Sequence, residues 1–146
     1  SLGLIEYDVI KEKVVKLSFV EEPSEKSIIK DSVFHALNDY FSGKGMKFDI
    51  DVDFQKGTEF QQQVWKELLK IPYGETKSYQ DISIQINKPK ALRAVGQACK
   101  RNPIGIIVPC HRVIGKDHSM RGYSGKDHIN LKIALLEHEK SHIKPR

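Results

Sequence analysis

The chain predicts an α+β protein, with strands first and helices after. Three observations carry that prediction. Between Leu4 and Val20, and again between Phe48 and Phe54, apolar residues alternate with polar ones, the period of half-buried strands. From Thr58 onward apolar residues recur at the spacing of three and four that belongs to helices. The chain has 146 residues, 39% hydrophobic and 29% charged, enough for one compact domain or two small ones sharing a core.

In chain order, Leu4 to Ile10 and Val14 to Val20 form two strands joined through the charged Lys11-Glu12-Lys13 turn. Glu21 to Glu25 is a polar loop. An amphipathic helix over Ser27 to Phe41 follows, with Ile28, Ile29, Val33, Phe34, Leu37 and Phe41 on its apolar side, and Ser42-Gly43-Lys44-Gly45 ends it. Phe48 to Phe54 reads as a half-buried strand whose acids face solvent. Gln55-Lys56-Gly57 is a linker, and it divides the chain into domains at 1–54 and 55–146.

Thr58, with Gln61 three residues on, forms a capping box for a helix reaching Lys70. A short helix begins near Ser78 and carries Tyr79, Ile82 and Ile86. The turn Asn87 to Lys90 leads to a third helix, Ala91 to Arg101, with Leu92, Val95 and Cys99 on its inner face. Two short helices joined by a tight turn, the second basic outside and apolar inside, read either as a plain packing unit or as a helix-turn-helix. Ile106-Ile107-Val108 is short, apolar and β-branched, hence a buried strand that Pro109 terminates. That places Cys110 at the mouth of a core, where a thiol beside His111 and Arg112 loses its proton more readily. A structural cysteine is the alternative reading. The loop Gly115 to Gly125 precedes a last helix, Asp127 to Lys140, burying Ile129, Ile133 and Leu136.

Net charge is unevenly divided. Residues 1–55 carry 7 Lys+Arg and 11 Asp+Glu, a balance of −4; residues 56–146 carry 17 and 8, a balance of +9, and the two give the overall +5. A basic second half suggests a polyanionic partner for the part that holds Cys110. The two cysteines, Cys99 and Cys110, have no metal or disulfide spacing. No apolar run approaches a membrane span, and Ser1 to Tyr7 lack the regions of a signal peptide. A reducing, cytoplasmic setting with no membrane partner is the expectation.

Phe60 to Trp65, Ile71-Pro72-Tyr73-Gly74-Glu75-Thr76, Ser78-Tyr79, Arg93-Ala94-Val95-Gly96, Asn102-Pro103, Pro109-Cys110-His111-Arg112-Val113, Gly122-Tyr123-Ser124-Gly125 and Leu135-Leu136 with Glu139 occur in one order. Over residues 58–140 this resembles the O6-alkylguanine-DNA alkyltransferase family, the methylated-DNA–protein-cysteine methyltransferases. Residues 1–54 match only in length and element order. The resemblance implies a small N-terminal α/β domain of ribonuclease-H-like type and a mostly helical, winged-helix-like C-terminal domain with a helix-turn-helix.

It also implies a reaction: irreversible transfer of an alkyl group from O6-alkylguanine, and from O4-alkylthymine, in double-stranded DNA to Cys110. The base is flipped out through the minor groove. The transfer is a single turnover by a monomer, with no cofactor and no metal. The residue roles implied are these. His111 acts through a water as base, oriented by Glu139. Tyr79 donates to guanine N3. Asn102 ties the helix-turn-helix to the active-site turn. Arg93 fills the space left by the flipped base, and Ala94, Gly96 and Gln97 lie against the DNA. Pro109, Val113, Tyr123 and Ser124 line the pocket, with the Cys110 and Val113 carbonyls reading the guanine amino group. Cys99 is read as packing. The loop departs from the family pattern: Met120-Arg121 make it bulkier, and Lys126-Asp127-His128 lengthen the approach to the last helix.

Overall fold

The computed structural model describes residues 4–20, 31–45, 47–115 and 129–143. The predicted hairpin forms from β1 (Leu4–Ile10) and β2 (Lys13–Val20), antiparallel, with Leu4 opposite Val20 and Ile10 opposite Lys13. Its turn is tighter than the sequence suggested. Lys11 and Glu12 alone make it, both at positive φ (50° and 68°), the twist a two-residue hairpin loop requires.

Helix α1 covers Ser32–Phe41. It starts later than the expected Ser27, because Asp31 is extended and caps it, accepting from the Phe34 N–H at 2.9 Å. Ile28 and Ile29 lie outside the described residues. The Tyr7 hydroxyl also donates to Asp31, at 2.8 Å, fastening the helix entry to β1. At its far end Gly43 takes φ +80°. The Gly43 N–H meets the Tyr40 carbonyl and the Lys44 N–H that of Asp39, so the last carbonyls are satisfied.

Residues 48–54 do not form the expected strand. Only Val52 pairs, with Val14, through Val14 N–H to Asp51 O and Asp53 N–H to Val14 O. The same open edge of β2 takes residues of the second half: Leu17 N–H donates to Pro103 O, and Gly105 N–H to Leu17 O. One edge of β2 is therefore shared by two segments, neither long enough there to make a full ladder.

Helix α2 (Glu59–Leu68) carries the complete capping box, with Thr58 and Gln61 exchanging both bonds. A two-residue strand β3 (Lys77–Ser78) leads into α3 (Tyr79–Gln85), again under a full capping box, Ser78 with Asp81. Helix α4 (Leu92–Lys100) follows a turn in which Asn87 has φ 62°. Val95 and Cys99 face inward as expected, but Leu92 is exposed, since it sits in the first turn beyond the reach of α2 and α3. The Trp65 indole N–H donates to the Ala98 carbonyl at 2.8 Å, locking α2 to α4.

The run Ile106-Ile107-Val108 is buried as predicted, but it is a turn and not a strand. Ile106 adopts φ +68°, which no strand allows and which a β-branched residue tolerates only where burial enforces it. The chain then makes a single 3-10 turn, Cys110–Arg112, and a two-residue strand β4 (Val113–Ile114) parallel to β3. Helix α5 (Ile129–His142) closes the fold. The face it buries is Lys132, Leu135 and Glu139, not the expected Ile129, Ile133 and Leu136, which are only half-buried. One apolar core joins both halves, from Val14, Leu17, Val33 and Leu37 to Val64, Leu68, Val95, Ile104 and Leu135.

Candidate active site

Two helices and a strand meet at the 3-10 turn that carries Cys110 and His111. The turn sits between α2 and α5, and β4 leaves it to pair with β3 immediately before Tyr79. Cys110 is buried, 3% exposed, and not at the mouth of the core: Pro109 and Val113 flank it and are buried as well. Asn102 holds the turn in three ways. Its Nδ2 donates to the Val108 carbonyl at 2.8 Å and to Cys110 Sγ at 3.3 Å, and its Oδ1 accepts from the Ile104 N–H at 3.0 Å. Burial pushes the Cys110 thiol up to about 11, against the pull of the Asn102 hydrogen bond and the Lys132 charge. At neutral pH the sulfur therefore carries its proton and needs a base to lose it.

His111, fully buried, is next in the chain. Its Nε2 lies 2.6 Å from Glu139 Oε2, while its Nδ1 has no hydrogen-bond partner among the described residues. Burial holds this imidazole below its ordinary value of 6.5, though Glu139 pulls the other way. A neutral imidazole facing a carboxylate keeps its proton on Nε2. The basic lone pair is then on Nδ1.

Glu139 is saturated with donors. Oε2 receives the Tyr40 hydroxyl (2.6 Å), His111 Nε2 and Arg112 Nη2 (2.9 Å); Oε1 receives Arg112 Nε (2.9 Å) and the Gly74 N–H (3.0 Å). Burial alone would raise its pKa, but the His111 and Arg112 hydrogen bonds and the Arg112 charge hold it well below the usual carboxylate range. It remains an anion and does not take the His111 proton. Arg112 is fixed in turn by the Ile71 carbonyl at 2.8 Å and the Tyr73 ring at 5.7 Å. Gly74 reaches Glu139 at φ +78°, where a side chain would strike Ile143.

Tyr79 is the first residue of α3. Its hydroxyl accepts from Lys132 Nζ at 3.2 Å, and the same ammonium lies 5.4 Å from the ring centroid. Lys132 is 1% exposed, an unusual position for a lysine, and reaches Tyr79 from α5. Arg93, Ala94 and Gln97 line the exposed side of α4, with Gly96 half-buried; a side chain at Gly96 would come no nearer than 4.0 Å to Tyr79. Cys99 is buried behind the turn, and burial pushes its thiol far up, so it stays protonated. Tyr123 and Ser124 lie outside the described residues, as do Met120 and Lys126 to His128. Among the described residues, no group of three or more His, Cys, Asp or Glu side chains is placed to hold a metal ion.

The structure thus gathers Cys110, His111, Glu139, Asn102 and Val113 around one turn, with Tyr79 at the start of the adjoining helix. It adds two residues that sequence reasoning gave no role, Lys132 and Tyr40, and it turns Arg112 toward Glu139 and not toward the Cys110 thiol. Arg112 was visible inside the Pro-Cys-His-Arg run. Tyr40 left no local signal.

Residues 59–141, more than half of the chain, match the model of the 6-O-methylguanine DNA methyltransferase DNA-binding domain. The chain belongs to the 6-O-methylguanine DNA methyltransferase family. Its similarity to a methylated-DNA–protein-cysteine methyltransferase of Mycobacterium bovis is 59% identity over 105 residues, 72% of this chain and 62% of that protein. The chain thus spans less than two thirds of the length of that relative. A probable methylated-DNA–protein-cysteine methyltransferase of Acanthamoeba polyphaga mimivirus is 43% identical over 142 residues, 95% of this chain and 91% of its own. Among solved structures, that of Mycobacterium tuberculosis OGT in complex with DNA superposes with a TM-score of 0.82 at 46% identity, covering 94% of this chain and 87% of that one. The pairing of Cys110 with His111 and Glu139 sits within the part of the chain that the methyltransferase family model spans.

Proposed function

We propose that this chain repairs DNA directly, moving the alkyl group of O6-alkylguanine, and of O4-alkylthymine, irreversibly onto Cys110. The observation that carries the reading is the state of His111. Its Nε2 is committed to Glu139, which leaves Nδ1 as the base one residue from the cysteine. No direct hydrogen bond links His111 to Cys110 among the described residues, so a water relays the proton from the sulfur to Nδ1. Glu139 remains an anion and stabilises the imidazolium that forms. The thiolate, held by Asn102, attacks the alkyl carbon; the S–C bond forms as the C–O6 bond breaks, and the electron pair leaves with the guanine.

Tyr79 neutralises that leaving group by giving a proton or hydrogen bond to N3. A phenol oxygen that accepts from the Lys132 ammonium is a stronger donor toward a base. The target base is flipped out through the minor groove by the α3–α4 pair, acting as the helix-turn-helix of a winged-helix-like C-terminal domain over 55–146. Arg93 fills the vacated place in the stack, and Ala94, Gly96 and Gln97 meet the duplex. Pro109, Val113, Tyr123 and Ser124 line the pocket. Residues 1–54 form an N-terminal domain of ribonuclease-H-like type. The protein acts as a cytoplasmic monomer without metal or cofactor. Support for DNA as partner comes from the basic second half and from the family match to a DNA-binding domain.

Replacing Cys110 with Ala tests the assignment. The expected outcome is loss of methyl removal from an O6-methylguanine duplex, with duplex affinity in a gel-shift titration changed less than threefold or so, since phosphate contacts dominate binding. An Ala variant that still demethylates the duplex places the acceptor elsewhere.

A further inference from the structure

Glu139 is held from both halves of the chain. Tyr40, on α1, is 1% exposed, and its hydroxyl donates at 2.6 Å to the very oxygen that holds His111 Nε2 at 2.6 Å. We infer that Tyr40 is a positioning residue for the transfer: by sharing Oε2 it limits how strongly Glu139 attracts the His111 imidazolium, and so extends to lower pH the range in which His111 is a neutral base. The inference rests on the proposed role of His111 as base for Cys110.

Tyr40 is well placed for such a role. Its ring is stacked on Phe48 (5.3 Å, 28°), meets Tyr73 edge-on at 5.9 Å and Phe41 at 5.0 Å, and is flanked by His138 at 5.1 Å. His138 also bonds the Tyr40 carbonyl oxygen at 2.7 Å. The hydroxyl is thereby fixed in direction. Burial, with the adjacent Glu139 charge, pushes the phenol far above its ordinary value, so it never competes as an anion.

The sign of the effect follows from charge. A carboxylate stripped of one donor concentrates more of its charge on those that remain. Without the Tyr40 hydroxyl, Glu139 still faces His111, Arg112, Tyr73 and the Gly74 N–H, and it stabilises the imidazolium more. His111 is in turn faced by the charges of Arg112 and Lys132, which are unchanged. Its protonation therefore persists to higher pH, and a protonated His111 accepts nothing from Cys110.

The test uses Tyr40→Phe in the full chain, which keeps every ring contact and removes only the oxygen. Two quantities are followed between about pH 5 and pH 9: the single-turnover rate of methyl transfer from an O6-methylguanine duplex, and the His111 imidazole resonances by NMR, assigned so that His138 is not confused with them. The expected result is that the acid limb of the rate profile and the His111 titration both move up by about half a unit, so that transfer slows about threefold on the acid limb and is unchanged on the plateau. A fluorinated tyrosine at position 40, a stronger donor of nearly the same shape, moves both the other way. If Tyr40→Phe and the fluorinated variant leave the His111 titration in place, or slow transfer equally at every pH, Tyr40 is a packing residue and the inference falls. The NMR titration needs no substrate. Absence of methyl transfer by the unaltered chain would therefore count against the proposed function, while the Tyr40 inference would still be decided by the titration.

Discussion

His111 and Glu139 show how one carboxylate organises a reactive turn. Five donors exceed the roughly four acceptor sites of a carboxylate, so its charge is fully spent on orienting its neighbours. Both residues have folded pKa values below their ordinary ones, which fixes the sign of an acid effect. When native His111 stays neutral while the unfolded chain takes up a proton, unfolding is favoured. Its contribution is complete above 6.5 and is lost as pH falls below that value toward the folded pKa. Glu139 adds a further loss at lower pH, below its ordinary 4.5. The melting temperature is expected to drop between about pH 7 and pH 5, and a His111→Asn variant is expected to show a shallower slope over that range in thermal scans. Equal slopes would mean that His111 is not buried neutral. At this scale Cys110, His111, Asn102 and Glu139 were legible through the motif order that resembles the alkyltransferase family; spacing alone would have left Glu139 a solvated acid at a helix end. Tyr40 was not, because it meets Glu139 across 99 residues of chain and no local pattern records the encounter. Lys132 drew no reading from the sequence; the observed face of α5 makes it a core residue.

At the scale of elements, caps were the most readable feature. Thr58 and Gln61 announced α2, because a capping box is a contact between near neighbours and needs no tertiary information. At α3 the structure adds a Ser78–Asp81 box, which the sequence analysis did not name and which sets the place of Tyr79, the first residue of that helix. Replacing Ser78 with Ala is expected to cost about 1 kcal/mol of stability in denaturant unfolding. It is also expected to slow the proposed transfer more than Thr58→Ala, which weakens a helix that does not carry a substrate-facing group. Similar transfer rates for the two variants would detach the Tyr79 cap from function. Two elements misled the pattern. Residues 48–54 alternate like a strand, yet the edge of β2 that would pair with them is given in part to residues 103–105, so only Val52 joins the ladder. Ile106 to Val108 have the composition of a buried strand, but Asn102 binds the backbone at Ile104 and at Val108 and so closes the run into a turn. In α5 the apolar stripe yields to Lys132 and Glu139, because polar partners on the 3-10 turn and on α3 (His111, Arg112 and Tyr79) draw those side chains inward.

For the molecule as a whole, the mixed α and β architecture was legible from the switch in hydrophobic period near Thr58. A core shared by both halves was one of the expectations, but the contacts that join them were not legible. The pairing of Leu17 with Ile104, the single core and the Tyr40–Glu139 bond all cross the linker at residues 55–57. The charge asymmetry, −4 against +9, places the attraction for a polyanion on the half that holds the reactive turn. The proposed repair function makes one demand of the whole chain that no binding protein shares: it is consumed by its own reaction. Mass spectrometry of the intact chain and its peptides, after incubation with an excess of O6-methylguanine duplex, tests this directly. The account predicts a gain of one methylene per chain, confined to the peptide that contains Cys110, with no second event however much duplex is supplied. Tight binding to the duplex with no change in mass, or a methyl group on any other residue, would contradict it.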